Sequence, residues 1–542
     1  MSGYERPADK NHSRGVVPEL AGTLVRILFS LLFGGIIVLL LVSSSRDHAL
    51  KSAYGLPNGW LLAMGLLAAA LLYLLLRILS AFIARRNAGL SRGRLSQWPV
   101  LMATLLIFCI QAVIAVNIMF KTGWDAGAVF DFAYRKVDNQ VTQSYSNYFS
   151  WYPNNLFLAW VYIQIFRLYQ MTLQSFSYAG YLYTLIMFNC VLSGISAILV
   201  YRCVCLLTGR ALFGWMAWCA HAALVGLSPW FLIPYSDAVG ILFPILALYL
   251  YIRPQKREPL RWALIGACLY VGFRIKPSAA IVFIAMMGIE SAAILSRQTA
   301  WRKSALCAAA LALTVLLAQG IHTMLIVPSL GLALDKEMAL GPAHFVKMGL
   351  NEGSDGVYDE EDVMHSKSFK TIGERDAANM EAIRARLKAF GFFGYVDFLT
   401  RKALVNFNSG SFAWAAEGSF YLALFNRNTP FASRLMSYYY SYGERHHEFL
   451  LFSQALWLAV LCGAFLFSFK RRFQTGREQK QAAVIRLSLA GLVIYVMLFE
   501  ARARYLYTFL PLFIMAAVLG FREIGQAAGR FMLKRKNRVL PG

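Results

Sequence analysis

Long apolar runs follow one another along almost the whole chain, broken by short connections that carry most of the Lys and Arg residues. Roughly 20 residues at about 1.5 Å each cross a hydrocarbon layer ~30 Å thick, and a helix satisfies its own backbone groups there. By that measure the pattern predicts an all-α polytopic membrane protein with about twelve spans. Two apolar runs precede residue 98. Ten more extend over about Pro99 to Phe120, Tyr178 to Tyr201, Ala211 to Trp230, Asp237 to Ile252, Trp262 to Phe273, Pro277 to Leu295, Ala305 to Val327, Phe449 to Phe469, Ala482 to Phe499 and Tyr505 to Leu519. A shorter apolar stretch, Asn154 to Tyr169, carries Arg167 and is expected to lie in the membrane interface without crossing.

Short cationic loops stay on the cytoplasmic side of a membrane protein, so they set its orientation. Arg85, Arg86, Arg92 and Arg94 place the connection after the second span inside, and the basic loops at Arg202 to Arg210, Arg253 to Arg261, Arg297 to Lys303 and Lys470 to Arg472 agree. Both termini are then cytoplasmic, near Lys10 and Arg14 and near Lys534 to Lys536, and a plasma membrane is the expected location. The chain divides into residues 1–97, a tail with two accessory helices, and 98–327, a core whose first large outer loop is 121–177. Residues 328–447 follow as a large outer segment, and 448–542 as the last helices and basic tail. In the outer segment Met380, Ile383, Leu387 and Phe390 recur at helical spacing, giving residues 374–390 one apolar face, as expected of a lid lying on the membrane or the bundle.

Composition agrees with the pattern. Of 542 residues 58% are hydrophobic, more than a water-soluble core holds without large exposed apolar patches. A net charge of +25 would suit nucleic acid, but its clustering in loops between apolar runs follows the positive-inside rule, so no nucleic-acid partner is expected. The eight cysteines lie in or beside apolar runs and imply no disulfide framework.

Charged groups at membrane depth are costly and usually mark a site or a pathway. Gly123-Trp124-Asp125 directly follows the third span. Asp131 lies six residues further on, which does not make an adjacent metal-binding pair and favours Asp125 as a lone general base. Asp131 is either a second catalytic acid or a helix-start or solvated charge. Tyr152-Pro153-Asn154-Asn155 opens the interfacial stretch; Pro forces a turn, one Asn caps the helix, and the other amide and the rings suit a sugar. In Pro234-Tyr235-Ser236-Asp237 the acid is most simply a helix cap, with acceptor contact as the functional alternative. Arg274-Ile275-Lys276-Pro277 and Glu500-Ala501-Arg502-Ala503-Arg504-Tyr505 place cations outside, against the trend, where an anionic partner such as phosphate offsets the cost. Their other reading is an internal ion pair, for example Glu500 with one of the arginines, or headgroup snorkelling.

Carried by these motifs, in this order and all on the outer face, the chain from about Pro99 to Leu519 resembles the membrane-embedded glycosyltransferases of the GT-C superfamily. The similarity is to the polyprenyl-phosphate-sugar-dependent branch, which includes the protein O-mannosyltransferases and the aminoarabinose transferase of lipid A. The resemblance implies inverting transfer from a polyprenyl-phosphate-linked sugar donor, metal-independent or weakly dependent on a divalent cation, with no other cofactor. Asp125 would deprotonate the acceptor hydroxyl, while Arg274, Lys276, Arg502, Arg504 and Tyr505 would hold the donor phosphate. Trp124, Tyr152, Asn154, Asn155, Tyr235 and Asp237 would line the sugar and acceptor. Two spans precede the matching region and no tandem acidic pair follows Asp125, so the expected acceptor is an envelope glycan or glycolipid. A secondary transporter fits the span count equally well, although no internal repeat is visible. A lipid-linked glycan polymerase or ligase would share the basic outer loops.

Overall fold

A computed structural model describes residues 13–46, 54–86, 98–140, 142–172, 177–296, 301–470, 473 and 475–539. Lys10, Arg92, Arg94, Arg297, Arg471 and Arg472, which enter the orientation argument, lie outside the described residues. The long helices are α1 (Ser13–Arg46), α2 (Asn58–Arg86), α3 (Trp98–Ile118), α4 (Trp124–Val137), α5 (Leu156–Thr172), α6 (Tyr178–Thr208), α7 (Ala211–His221), α8 (Leu242–Ile252), α9 (Glu258–Ile275), α10 (Ala280–Leu295), α11 (Trp301–Ile321), α12 (Ile372–Phe407), α13 (His446–Leu466), α14 (Gly476–Leu498) and α15 (Leu510–Val539).

Among the described residues nine helical stretches, on α1, α2, α3, α6, α10, α11, α13, α14 and α15, are long and apolar enough to cross a membrane. Three of the expected spans fall short for local reasons. The stretch from α7 passes into a π-helical turn at Ala222–Gly226, and the four-residue helix Ser236–Val239 precedes α8, leaving two apolar but short segments. α9 carries Glu258, Arg261 and Arg274 within its 18 residues.

Burial separates the axis of the bundle from its rim. From Leu512 to Leu519 on α15 no residue is more than 4% exposed, and α6, α7 and α13 pack around it. α13 and α15 touch backbone to backbone, since a Cβ added to Gly520 would lie 2.0 Å from the Gly463 carbonyl oxygen. Such contact needs small residues on both helices. α11 is the opposite case, with 6% of its apolar stretch buried against 89% for α15, and Leu306, Leu313, Leu316 and Leu317 turned outward. Apolar faces of that kind are at rest only against lipid.

Between α11 and α13 the chain forms Pro342–Met348, Glu360–Lys367, α12 and Pro430–Tyr439. Thr371 and Glu374 make a capping box at the start of α12, and Gly391, at φ 57° and ψ −171°, breaks it in two. The expected apolar face of residues 374–390 is narrower than its spacing suggests. Ile383 and Phe390 pack with Leu350 and Phe398, while Met380 and Leu387 are each 41% exposed. Positions three apart on a helix differ by about 60° in direction, and the supporting residues cover only the Ile383 side.

A two-residue strand, β1 (Phe120–Lys121), pairs antiparallel with β2 (Ala423–Leu424), Phe120 opposite Leu424. Beyond it the Gly123 N–H donates to the Ser419 carbonyl at 2.8 Å. This ribbon draws the 408–422 loop against the start of α4.

Candidate functional site

Asp125 stands in the first turn of α4, where the helix dipole favours a carboxylate. Its Oδ1 accepts a hydrogen bond from the Tyr148 hydroxyl at 2.9 Å. Tyr148 in turn accepts from Asn155 Nδ2 at 2.7 Å, and Tyr235 closes the ring, its hydroxyl lying 3.3 Å from Asn155 Oδ1 and 3.4 Å from Asp125 Oδ2. One phenolic proton serves these two acceptors in turn. Burial pushes the Asp125 carboxyl above its ordinary range, against the Tyr148 hydrogen bond, the Arg504 charge and the Tyr235 hydrogen bond, which favour ionisation. A carboxylate held this way is a stronger proton acceptor than a solvated one.

Trp124, directly before the acid, adopts φ 40°. A bulky residue there is strained by roughly 1–3 kcal/mol, and such strain clusters at functional sites. Its ring stands edge to face on Tyr235, centroids 4.9 Å apart, with the Arg504 guanidinium 4.7 Å from its own centroid. Four residues of the loop that carries Glu417, namely Phe412, Ala413, Ala415 and Ser419, also have positive φ.

Behind this ring lies a compact charge network. Asp237, 1% exposed, holds Lys276 Nζ at 2.7 Å and an Arg504 nitrogen at 3.0 Å. Glu417 pairs with Arg504 at 2.9 Å and accepts from Arg502 at 3.0 and 3.3 Å. Tyr505 sits between two cations, its centroid 4.3 Å from Lys276 Nζ and 5.2 Å from the Arg504 guanidinium. Three cations thus face Asp237 and Glu417 at ion-pair distance, and Glu500, hydrogen-bonded to Tyr505, is a further acid beside them.

Trp124, Asp125, Tyr152, Asn155, Tyr235, Asp237, Lys276, Arg502, Arg504 and Tyr505, expected from separate motifs, therefore belong to one neighbourhood. Asp237 does not cap its helix; it faces Lys276 and Arg504, and the Ser236–Val239 helix has no side-chain cap. Asn155 likewise caps nothing and completes the ring, whereas Asn154 is exposed, its amide 3.4 Å from Asn155 Oδ1. The arginines pair with Glu417 and Asp237, and not with Glu500 as the simplest ion-pair reading of that motif has it.

Two expected residues stand apart. Six residues after Asp125 on a helix turn a side chain about 240° away. Accordingly Asp131 faces Lys121 at 2.9 Å and the Tyr178 hydroxyl at 2.8 Å. Arg274, still on α9, turns to the Tyr270 hydroxyl at 3.0 Å and to Gln319 on α11, whereas Lys276 lies past the helix end in extended backbone and faces inward.

Three residues complete the site without a sequence motif. Tyr148 and Glu417 are described above. Lys367 ends the Glu360–Lys367 helix, its Nζ 5.4 Å from the centroids of both Trp151 and Tyr152. Burial lowers its ammonium group, with the Asp125 charge pulling the other way. Lys367 meets no carboxylate at ion-pair distance among the described residues. Its helix is locked by Asp362, which takes both Arg386 nitrogens at 2.7 and 2.9 Å, and by Lys347 on Ser366 at 3.0 Å. Lys402 ties the same segment to the bundle, donating to the carbonyls of Gly349 and Phe499, and the Ala501 N–H donates to Gly356 at 2.7 Å. Among the described residues no three His, Cys, Asp or Glu side chains converge as a metal site.

Helical architecture, lipid-facing rim and sequestered carboxylate together define an all-α polytopic integral membrane protein. The chain belongs to the family described as conserved hypothetical integral membrane protein, whose model matches residues 17–524. No curated protein and no solved structure matches it.

Proposed function

We propose that this protein is a membrane glycosyltransferase that moves a sugar from a polyprenyl-phosphate donor to an envelope glycan or glycolipid on the extracytoplasmic face. The observation that carries the reading is the Asp125 carboxylate, raised by burial and held by two tyrosines beside aromatic rings and the Arg504 guanidinium. As general base it takes the acceptor hydroxyl proton. The acceptor oxygen forms its bond to the anomeric carbon as the bond from that carbon to phosphate breaks, and the electron pair leaves on polyprenyl phosphate. Inversion follows from this single displacement, and the charge developing on phosphate needs a cation nearby.

Pairing within the protein redistributes the roles. Lys276, Arg502 and Arg504 are largely neutralised by Asp237 and Glu417, so their role is to shape the site around Asp125. Lys367 is the better candidate for direct phosphate contact, since no acid claims it and its ammonium feels Asp125. Residues 328–447 act in this reading as a lid carrying Lys367, α5 lies in the outer interface, and α7, α8 and α9 bring the spans to twelve.

The test uses the purified full-length chain in lipid nanodiscs with radiolabelled polyprenyl-phosphate sugars and extracted envelope glycolipids. Label transferred to the glycolipid fraction supports the reading, and the productive donor names the sugar. No transfer from any donor, with solute uptake by the same protein in liposomes, would replace it with a transporter.

A further inference from the structure

At the end of the bundle away from Asp125, a cavity of about 430 Å³ lies between α10 and α11, with α8, α9 and α14 behind it. α9 fixes the separation: its 18 residues run roughly 27 Å from Glu258, at the cavity, to Ile275, next to Lys276 of the Asp125 site. Four cations, Arg261, Lys303, Arg477 and Lys480, line the cavity with two acids, Glu258 and Glu290. Both acids are already engaged. Arg261 pairs with Glu258, and Glu290 accepts from the Tyr251 hydroxyl at 2.7 Å and from Lys480 at 3.0 Å. Lys303 and Arg477 meet no carboxylate among the described residues, Arg477 donating only to the Ile252 carbonyl at 3.0 Å. The Arg261 Nε is buried with no hydrogen-bond partner among the described residues.

Two positive charges without a carboxylate partner, Lys303 and Arg477, line a space with an apolar wall of Met287, Ile294 and Leu311. An anionic oxygen would give Lys303 and Arg477 the charge-assisted partner they lack. α11 packs on α9 and presents the rest of its surface outward, so the α10–α11 side of the cavity borders the lipid-facing rim. We infer that this cavity binds a phosphate group, held by Lys303 and Arg477, with a lipid tail against the apolar wall. The site is independent of the transfer reading, which concerns the other end of the molecule.

Cys307 on α11 lines the cavity, and Cys109 on α3 is exposed elsewhere, so alkylation read peptide by peptide reports the site against an internal control. The full-length protein in neutral detergent is treated with N-ethylmaleimide alone and with dioctanoyl phosphatidic acid, inorganic phosphate or dioctanoylglycerol. The expected result is alkylation of Cys307 slowed about fivefold or more by phosphatidic acid but not by dioctanoylglycerol, with Cys109 unchanged. The protection should disappear in Lys303→Glu and in Arg477→Gln. Equal slowing by inorganic phosphate would assign the site to a soluble phosphate compound and not to a lipid headgroup. Equal protection by dioctanoylglycerol, protection that survives both substitutions, or a Cys307 that never reacts in ligand-free protein would overturn the proposal. Lys303 is exposed and has no partner to lose, so its variant is expected to fold.

Discussion

Tyr148→Phe removes one oxygen and two hydrogen bonds, the 2.9 Å donation to Asp125 and the 2.7 Å acceptance from Asn155. A hydrogen bond to a charged group contributes about 1.5–3 kcal/mol, so its loss should push the carboxyl further up and slow transfer about 10- to 100-fold below the acid limb. The sign follows from the base role. Asp125 accepts a proton only when ionised, and burial has already raised its carboxyl, so the rate falls as pH drops through that raised value. Losing the Tyr148 donation weakens the ionised form and moves the acid limb of the rate profile to higher pH. Well above the limb the rate returns towards wild type. The assay is label transfer against pH for wild type and Tyr148→Phe, with Tyr152→Phe as control, since the Tyr152 ring lies tilted against Tyr148, centroids 5.4 Å apart, without a bond to Asp125. A limb that stays in place, or moves to lower pH, would refute the argument that Tyr148 supports an ionised Asp125.

Glu417→Gln withdraws the acid shared by Arg502 and Arg504, and breaking a buried pair by removing one partner costs about 3–5 kcal/mol. A clear drop in melting temperature is expected, against no change for Glu448→Gln at the exposed Arg445 pair; equal effects would contradict the buried network. Lys402 is lowered by burial from 10.5 to about 7, so between those values the unfolded chain binds a proton that the fold does not. Stability then falls as pH drops from about 10.5 to 7 and is level below, by up to about 5 kcal/mol. Melting measured over that range should show this slope in wild type and a flatter one in Lys402→Met; the same slope in both would assign it elsewhere.

The apolar runs made the helices legible because hydrophobic length is a local property. Trp124, Asp125, Tyr152, Asn155, Tyr235, Lys276 and Arg504 could be picked out singly, since each sits where a polar or strained group at the end of an apolar run needs a reason. Their mutual arrangement was not legible. Asp237 was open to a cap reading because nothing local distinguishes an acid that meets its own helix from one that meets cations 39 and 267 residues away. Arg274 and Lys276 are neighbours in sequence, yet the helix ends between them and sends them to different partners. Glu417 is a single acid in an aromatic loop, placed by a strand pair of two residues per strand, too short for any periodicity to mark. Tyr148 lies in an aromatic run whose members pack in both directions, and only its hydroxyl separates it from Phe149. Trp262 to Phe273 reads as an apolar run, but Glu258, Arg261 and Arg274 leave the helix around it short of a membrane-crossing stretch.

Asp125→Asn tests the central claim most directly, because it keeps the shape of the side chain and removes only its capacity to take a proton. Its fold should survive: a carboxyl raised on folding stabilises at low pH and loses that contribution as pH rises through its folded value, so the amide should melt no lower than wild type at neutral pH. Sugar transfer from the productive polyprenyl-phosphate donor is measured for both proteins at equal abundance and matched thermal stability. A fall in rate of about 100-fold or more is the predicted result, the range general-base catalysis supplies. Equal transfer by wild type and Asp125→Asn would contradict the assignment of Asp125 as the base.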